Sequence, residues 1–310
     1  MARPRGAPLG VFDSGLGGLT VVRALLDEVP GERIVYLGDT ARVPYGTRSA
    51  ETVVRYARGC ARVLTDRGVK ALVVACNTVS AVALDMLRAE LDMPVIGVVE
   101  PGARAAVVAA EAVARSRAAE ESGAPPPRIG VLGTQGTIAS NAYPRAVQQR
   151  STRFEVVGRA APLLVPLVEE GWLDGEVPEL AVQRYVEPLL AEGAGVLVLG
   201  CTHYPLLQPV VERVARRLAG REVPVVDSAT ATARIVAELL DEGRIAARVP
   251  SRAESHAERL ELLVTDLPGG FQRVAELFLG EHTPQAEQID LSALPPDGAV
   301  TTPDAELCPG

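Results

Sequence analysis

KALVVAC (residues 70–76) and GVLVLGC (residues 195–201) are short apolar runs that each end on a cysteine. Aliphatic runs of this length are typical of parallel strands that are buried on both faces. Similar runs occur along the rest of the chain, with helical stretches between them. This alternation predicts an α/β protein built from doubly wound parallel sheets. The other predicted strands cover residues 9–13, 33–38, 94–99, 128–133, 154–158, 223–227 and 261–266.

The first predicted strands resemble the later ones. Glycines, a cysteine and a proline recur at matching positions of the strands after about 120 residues, if two short insertions are allowed. This recurrence indicates a duplicated α/β unit. Matched glycines and prolines are weak evidence, because any two α/β units share them, but matched cysteines at strand ends are stronger. We therefore predict two pseudo-symmetric domains with the active site between them. The matched pairs are Gly10 with Gly130, Gly38 with Gly158, Cys76 with Cys201, and Pro94 with Pro224.

The domain boundaries follow from this repeat. We expect residues 1–100 and 228–280 to form the first domain and residues 101–227 the second, because a segment that follows the second unit is most simply placed back on the first. Residues 281–310 contain five prolines and show no helical or strand period. We expect a loosely ordered tail there.

The composition excludes several classes of partner. The chain has 310 residues, a formal net charge of −8 and no basic stripe, so nucleic acid is not expected as a partner. No apolar run approaches the roughly 18 residues that a membrane span needs, and the opening residues contain no apolar core before a cleavage site. We expect a cytoplasmic protein without a membrane partner.

No cofactor or metal is expected either. Lys70 is the only lysine and precedes a strand, whereas a Schiff-base lysine for pyridoxal phosphate would lie at the carboxyl end of one. The glycine-rich turn after the first strand fails the dinucleotide pattern because Thr20 occupies the last glycine position. Four cysteines without a CxxC pair do not indicate a zinc site.

Cys76 and Cys201 are the strongest candidates for chemistry. A thiol between a strand and a helix lies near unpaired backbone N–H groups, which favour the thiolate. Either cysteine alone is as well explained as a small core residue. Two thiols on facing halves can remove a proton from one side of a carbon and return one to the other side. This arrangement predicts racemisation.

Asp13, Ser14 and His203 accompany the thiols. Ser14 and the neighbouring amides would bind a small anion. Asp13 would pair with an ammonium group, orient a thiol or only cap the next helix. His203 would tune the Cys201 proton or serve as an ordinary helix-terminal hydrogen bonder.

Hydroxyl groups occur at other predicted strand ends. Thr134 and Thr137 would bind a carboxylate without a basic side chain, and Tyr45 and Gly46 lie in a loop that points to the same cleft or forms an ordinary surface turn. Glu169 lies in a helical pattern and is also explained as a solvated charge.

The chain resembles glutamate racemases of the aspartate/glutamate racemase superfamily. The resemblance covers about residues 9 to 280 and implies cofactor-independent interconversion of L- and D-glutamate for peptidoglycan, in a cytoplasmic enzyme that is commonly a homodimer. The motifs that carry it, in order, are FDSGLGGLTV, YLGDTARVPYGTRS, VVACNTVSA, VLGTQGTIAS, PLVEEG, LGCTHYPLL and VTDLPGGF.

The resemblance also implies roles for individual residues. Cys76 would act on D-glutamate with help from Asp13. Cys201 would act on L-glutamate with help from His203 and Glu169. The implied substrate-binding residues are Asp13, Ser14, Tyr45, Gly46, Asn77, Thr78, Thr134, Thr137, Thr202 and His203.

Three alternatives stay open from the sequence. The substrate could be aspartate or another amino acid, because the sequence does not reveal pocket size. Cys201 with His203 as its base could form a thiol amidase, although Cys76 would then have no role. The chain could also be a non-catalytic amino-acid-binding regulator.

Overall fold

The computed structural model describes residues 4, 6–120, 123, 125–250, 252–267, 271–280 and 283–291. Its strands form two parallel sheets. The first has the order β10-β9-β2-β1-β3-β4 and the second β6-β5-β7-β8. The strands are β1 (Leu9–Asp13), β2 (Ile34–Gly38), β3 (Ala71–Val74), β4 (Val95–Gly97), β5 (Arg128–Gly133), β6 (Val156–Ala160), β7 (Ala194–Gly200), β8 (Val225–Asp227), β9 (Leu260–Val264) and β10 (Ala286–Gln288).

Helices cover both sheets, as the doubly wound class requires. Residues of α1 and α11 join the same buried apolar cluster as strands of both sheets. The helices are α1 (Leu19–Glu28), α2 (Ala50–Asp66), α3 (Asn77–Val82), α4 (Leu84–Glu90), α5 (Val99–Glu120), α6 (Gln135–Ala139), α7 (Ala142–Gln148), α8 (Leu164–Glu169), α9 (Glu176–Ala191), α10 (Gln208–Ala219), α11 (Ser228–Asp241), α12 (His256–Arg259) and α13 (Phe271–Leu279).

Local sequence explains α2 well. The Ser49 side chain caps the helix by accepting a hydrogen bond from the Thr52 amide. Val53, Ala57 and Leu64 recur at helical spacing and are fully or almost fully buried. The apolar stripe therefore packs α2 onto the first sheet.

The two sheets share the order of four strands, since β2-β1-β3-β4 has the same arrangement as β6-β5-β7-β8. In register, Phe12 pairs with Val74 and Leu132 pairs with Leu199. Cys76 lies two residues after Val74 and Cys201 two residues after Leu199, so the two cysteines occupy equivalent positions. The predicted two-domain α/β fold is confirmed, and each of the nine predicted strands is present.

One sequence match needs correction. Gly38 pairs with Asp13, but Gly158 pairs with Val131, two residues earlier in its sheet. The true equivalent of Gly38 is Ala160. The glycine match was a coincidence of composition, because glycine is common at strand ends.

The expectation of a loose tail from residue 281 also needs correction. Residues 286–288 form β10, which pairs in parallel with β9, and Ile289 N–H donates to Val264 O over 2.8 Å. Ile289 and Leu291 pack against the buried residues of the first sheet. The backbone pairing and these two apolar side chains hold a segment whose composition shows no strand period. Residues 292–310 lie outside the described residues.

Candidate active site

Cys76 is positioned by the end of β3. It is the N-cap residue of α3 and is 5% exposed. Its Sγ lies 3.6 Å from Ser14 Oγ, to which the thiol donates. Burial, together with the nearby Asp13 carboxyl, raises the pKa of Cys76 to about 12. Cys76 is therefore a protonated thiol at neutral pH.

Asp13 ends β1 beside this thiol. Its Oδ2 accepts hydrogen bonds from the amides of Gly15 (3.1 Å) and Gly18 (3.0 Å). Its Oδ1 is buried and has no hydrogen-bond partner in the part of the chain that the structure describes. Burial raises the pKa of Asp13, although the charge of His203 opposes the shift. Asp13 thus fixes the turn with one oxygen and keeps the other available.

Cys201 follows β7 and is followed by a 3-10 turn over Tyr204–Leu207. Its Sγ lies 4.0 Å from His203 Nδ1, and His203 Nε2 lies 3.1 Å from Glu169 Oε1. Burial lowers the pKa of His203, but the contacts with Cys201 and Glu169 outweigh burial and raise it to about 10. A cationic imidazole therefore lies between the Cys201 sulfur and the Glu169 carboxyl group.

The first turn of α1 lies directly against the Cys201 segment of the other domain. A Cβ atom on Gly17 would lie 2.3 Å from Thr202 Oγ1 and 2.4 Å from His203 Nδ1. Thr20 Oγ1 donates to Thr202 O over 3.0 Å. Only glycine permits this approach, which brings the two domains together at the site.

Three threonines meet from opposite domains. Thr78 Oγ1 lies 2.9 Å from Thr134 Oγ1, which lies 3.0 Å from Thr137 Oγ1. Next to them, Gly136 N–H donates to Gly46 O over 2.9 Å. The structure therefore gathers the predicted hydroxyl residues into one cross-domain cluster.

Tyr45 contributes differently from its neighbours. Its hydroxyl donates to the buried Asp39 carboxylate, and its side chain is 1% exposed. Asp39 also accepts from Arg42 Nε and Thr265 Oγ1. The Tyr45 side chain is therefore used to hold the loop, and the backbone of Gly46 is what faces the second domain.

Asn77, directly after Cys76, is buried. Tyr143 Oη from the second domain donates to Asn77 Oδ1 over 2.8 Å. Asn77 Nδ2 is buried without a hydrogen-bond partner among the described residues. The amide therefore keeps a donor for a ligand.

Sequence reasoning missed Gly17, Thr20 and Tyr143. In the sequence, Thr20 only breaks a dinucleotide pattern, and Gly17 is one of several glycines in the turn after the first strand. Tyr143 gave no signal, because its partner lies 66 positions away. In the described ranges, no three His, Cys, Asp or Glu side chains form a group that would hold a metal ion. Of the helices the structure describes, none is long and apolar enough to cross a membrane.

Comparisons with known proteins agree with this geometry. Glutamate racemase from Geobacter metallireducens is 47% identical over 285 residues, which cover 92% of this chain and 97% of that protein. The crystal structure of a glutamate racemase isoform from Bacillus anthracis has a TM-score of 0.80 at 35% identity, covering 93% of this chain and 99% of its own.

A further similar structure is that of glutamate racemase from Francisella tularensis in complex with D-glutamate. It has a TM-score of 0.78 at 32% identity and covers 94% of this chain and 100% of its own. The model of the Asp/Glu/Hydantoin racemase family matches residues 14–236. The chain therefore belongs to the Asp/Glu/Hydantoin racemase family and is an isomerase.

Proposed function

We propose that this protein interconverts L- and D-glutamate without a cofactor, by proton transfer between the substrate α-carbon and the two thiols. The equivalent register positions of Cys76 and Cys201 in two facing domains carry this proposal. The substrate class is supported by the glutamate racemases to which the chain is similar, one of them in complex with D-glutamate.

The direction from L to D begins with Cys201 as thiolate. Its sulfur takes the α-proton, and the electron pair of the C–H bond remains on a planar carbanion. Cys76 then donates its thiol proton to the opposite face, which releases D-glutamate and leaves a thiolate on Cys76 and a thiol on Cys201. The reverse reaction uses the same steps in the opposite order.

The surroundings of the two sulfurs fit these starting states. His203, held by Glu169, places a positive charge beside the Cys201 sulfur. Burial and Asp13 keep the proton on Cys76. The free oxygen of Asp13 can orient that thiol or accept its proton.

Donors around the cleft suit the carboxylates and the extra charge that develops on proton removal. Asn77 Nδ2 has no partner among the described residues and is buried at the site. Ser14, Thr202 and the threonine cluster supply hydroxyl groups, and the loop at Tyr45 and Gly46 forms one wall. These groups bind glutamate without a basic side chain.

Substrate entry requires the domains to separate. Cys76 and Cys201 are both only 5% exposed, and Thr20 and Tyr143 each donate a hydrogen bond across the domain interface. We infer that glutamate enters an opened form and that closure then excludes water from the reacting carbon.

Incubation of the protein with L-glutamate in D2O, without added cofactor, tests this function. We expect loss of optical rotation together with deuterium at the α-carbon. Cys76→Ala and Cys201→Ala should each lower racemisation by about 10²- to 10⁴-fold or more, because one base cannot serve both faces. Cys60→Ala, which removes a buried thiol in α2, should remain active.

Two outcomes would contradict the proposal. Substantial racemisation by either active-site variant would contradict the two-thiol mechanism. Glutamate left unchanged by the wild-type protein would contradict the substrate, and aspartate would be assayed next.

The same proposal includes the biological setting. D-glutamate made in the cytoplasm would supply peptidoglycan synthesis, and the enzyme would act as a homodimer, as the family resemblance implies. Restoration of growth to a bacterium that requires D-glutamate tests the first point. Mass measurement by light scattering tests the second, and a monomer at working concentration would contradict it.

A further inference from the structure

The side chain after Cys76 is held from the opposite domain. Tyr143 in α7 and Asn77 in α3 are each 2% exposed, and Tyr143 Oη donates to Asn77 Oδ1 over 2.8 Å. A buried hydrogen bond of this kind fixes both groups, because breaking it would leave a polar atom without a partner.

The identity of the donor decides which end of the amide faces the site. The Tyr143 hydroxyl donates its proton here, and only the Oδ1 end of the Asn77 amide can accept it. The NH2 end is then directed away from Tyr143, where Nδ2 is buried and lacks a partner in the described structure. A carboxylate needs a donor at that point, and a flipped amide would present an oxygen to it.

Tyr143 also touches the segment that carries the other thiol. A Cβ atom on Gly200, the residue before Cys201, would lie 3.1 Å from Tyr143 Cε2. The ring therefore packs on one cysteine segment while its hydroxyl bonds the other.

The Tyr143 hydroxyl is confined on a further side. A Cβ atom on Gly102 in α5 would lie 3.2 Å from Tyr143 Oη and 3.3 Å from Ser228 Cβ. Gly102 and Ser228 lie near the starts of α5 and α11, and these helices follow β4 and β8, an edge strand of each sheet. Tyr143 is thus surrounded by the two domain crossovers and the two thiol segments.

We propose that Tyr143 is a positioning residue that orients the Asn77 amide toward the substrate and keeps the two thiol segments at their working separation. This inference rests on the proposed racemase function. Tyr143 does not itself touch the reacting atoms, so it acts through Asn77.

Tyr143→Phe tests the orienting role because it keeps the ring on Gly200 and removes only the hydroxyl. We expect KM for both glutamate enantiomers to rise about fivefold, a typical effect of one lost hydrogen bond, while kcat changes less. Initial rates in both directions, followed by circular dichroism, give both constants.

A double-mutant cycle distinguishes positioning from a general structural effect. In an Asn77→Ala background, Tyr143→Phe should change KM by less than about 1.5-fold, because the amide that the hydroxyl orients is already gone. Tyr204→Phe is the matched control. Its buried hydroxyl donates to Ala161 O over 2.7 Å. Tyr204→Phe should therefore change KM by the same factor in the wild-type and the Asn77→Ala backgrounds.

Gly102→Ala is a second test, and it leaves the Tyr143 side chain itself unchanged. The variant should fold, because alanine is a better helix former than glycine in α5. The added methyl group should displace the Tyr143 hydroxyl and raise KM, again only when Asn77 is present. An active wild-type enzyme whose KM is unchanged by Tyr143→Phe, or rises equally with and without Asn77, overturns this inference alone. A wild-type protein that leaves glutamate unchanged overturns the proposed function as well.

Discussion

Cys76 and Cys201 occupy equivalent positions but have opposite electrostatic surroundings. Cys76 lies near the carboxyl group of Asp13, and Cys201 lies near the imidazole of His203. The first neighbour disfavours a thiolate on Cys76. One fold repeat therefore places one thiol beside an acidic side chain and the other beside a basic one, an asymmetry that suits the proposed two-sided proton transfer.

The charge on His203 leads to a pH prediction. Burial lowers the pKa of His203, but the contacts with Cys201 and Glu169 outweigh burial and raise it to about 10. The contribution of this charge to the free energy of unfolding is therefore complete below about pH 6.5 and is lost as the pH rises through 10. We expect kcat/KM for L-glutamate to fall above pH 10. Glu169→Gln should move this fall to lower pH.

Glu170→Gln is the matched control for that experiment, because Glu170 is the adjacent glutamate and its side chain is exposed. Its pH profile should coincide with that of the wild type. A Glu169→Gln profile that also coincides with the wild type would show that Glu169 does not sustain the His203 charge.

The sequence identified the residues that lie within short motifs and missed those that depend on distant contacts. Cys76 and Asp13 end predicted strands and His203 follows one, and the carboxyl ends of parallel strands meet at one edge of a sheet. The role of Tyr143 needs a contact with Asn77 in another domain, and no local pattern encodes the distance between two domains.

At the level of elements, the turn that leads into α1 contacts the other domain at the site. Gly17 lies so near Thr202 and His203 that no side chain fits. Gly17→Ala should push this turn away from the Cys201 segment by a few tenths of an ångström or more. We expect kcat/KM to fall about 100-fold in both directions, as for other small misplacements of catalytic groups.

Gly59→Ala is the control, since a Cβ atom there would meet nothing within 4 Å. Gly59 lies inside α2, where alanine should stabilise the helix by about 1 kcal/mol. Rates and thermal unfolding of both variants give the comparison. Activity of Gly17→Ala close to that of Gly59→Ala would show that the domains need not approach so closely.

Nine strands could be predicted because each is a continuous aliphatic run, but β10 could not. Its sequence, Ala-Glu-Gln, is polar and three residues long. It pairs on one side only, at the edge of the first sheet, where little apolar surface is needed. Its place is set by β9, and β9 is distant in sequence from the strand beside it.

At the scale of the whole molecule, the chain must return from the second sheet to complete the first. The segment before β9 is fixed by buried charges at the end of β2 and β3 opposite the active site. Lys70 Nζ lies 2.5 Å from Glu32 Oε2 and donates to Ala246 O over 2.6 Å. Glu32 Oε1 accepts from the Arg248 amide over 2.8 Å. The only lysine of the chain is therefore used to anchor the returning segment.

Lys70→Met tests this anchor, because it leaves the Glu32 carboxylate buried without its counterion. The free energy of unfolding should fall by about 3–5 kcal/mol, as for other broken buried pairs. Adding Glu32→Gln should recover part of this loss, since glutamine still accepts from the Arg248 amide and carries no charge.

Arg58→Met is the surface control, since the Arg58–Glu90 pair is about 40% exposed on each side and should contribute at most about 1 kcal/mol. Urea unfolding of the three variants gives the comparison. If Lys70→Met lost no more stability than Arg58→Met, the returning segment would be held by its apolar contacts with β2 and not by charge. If Lys70→Met instead loses more stability than Arg58→Met, and the double variant recovers part of that loss, the buried Lys70–Glu32 pair holds the segment that leads into β9.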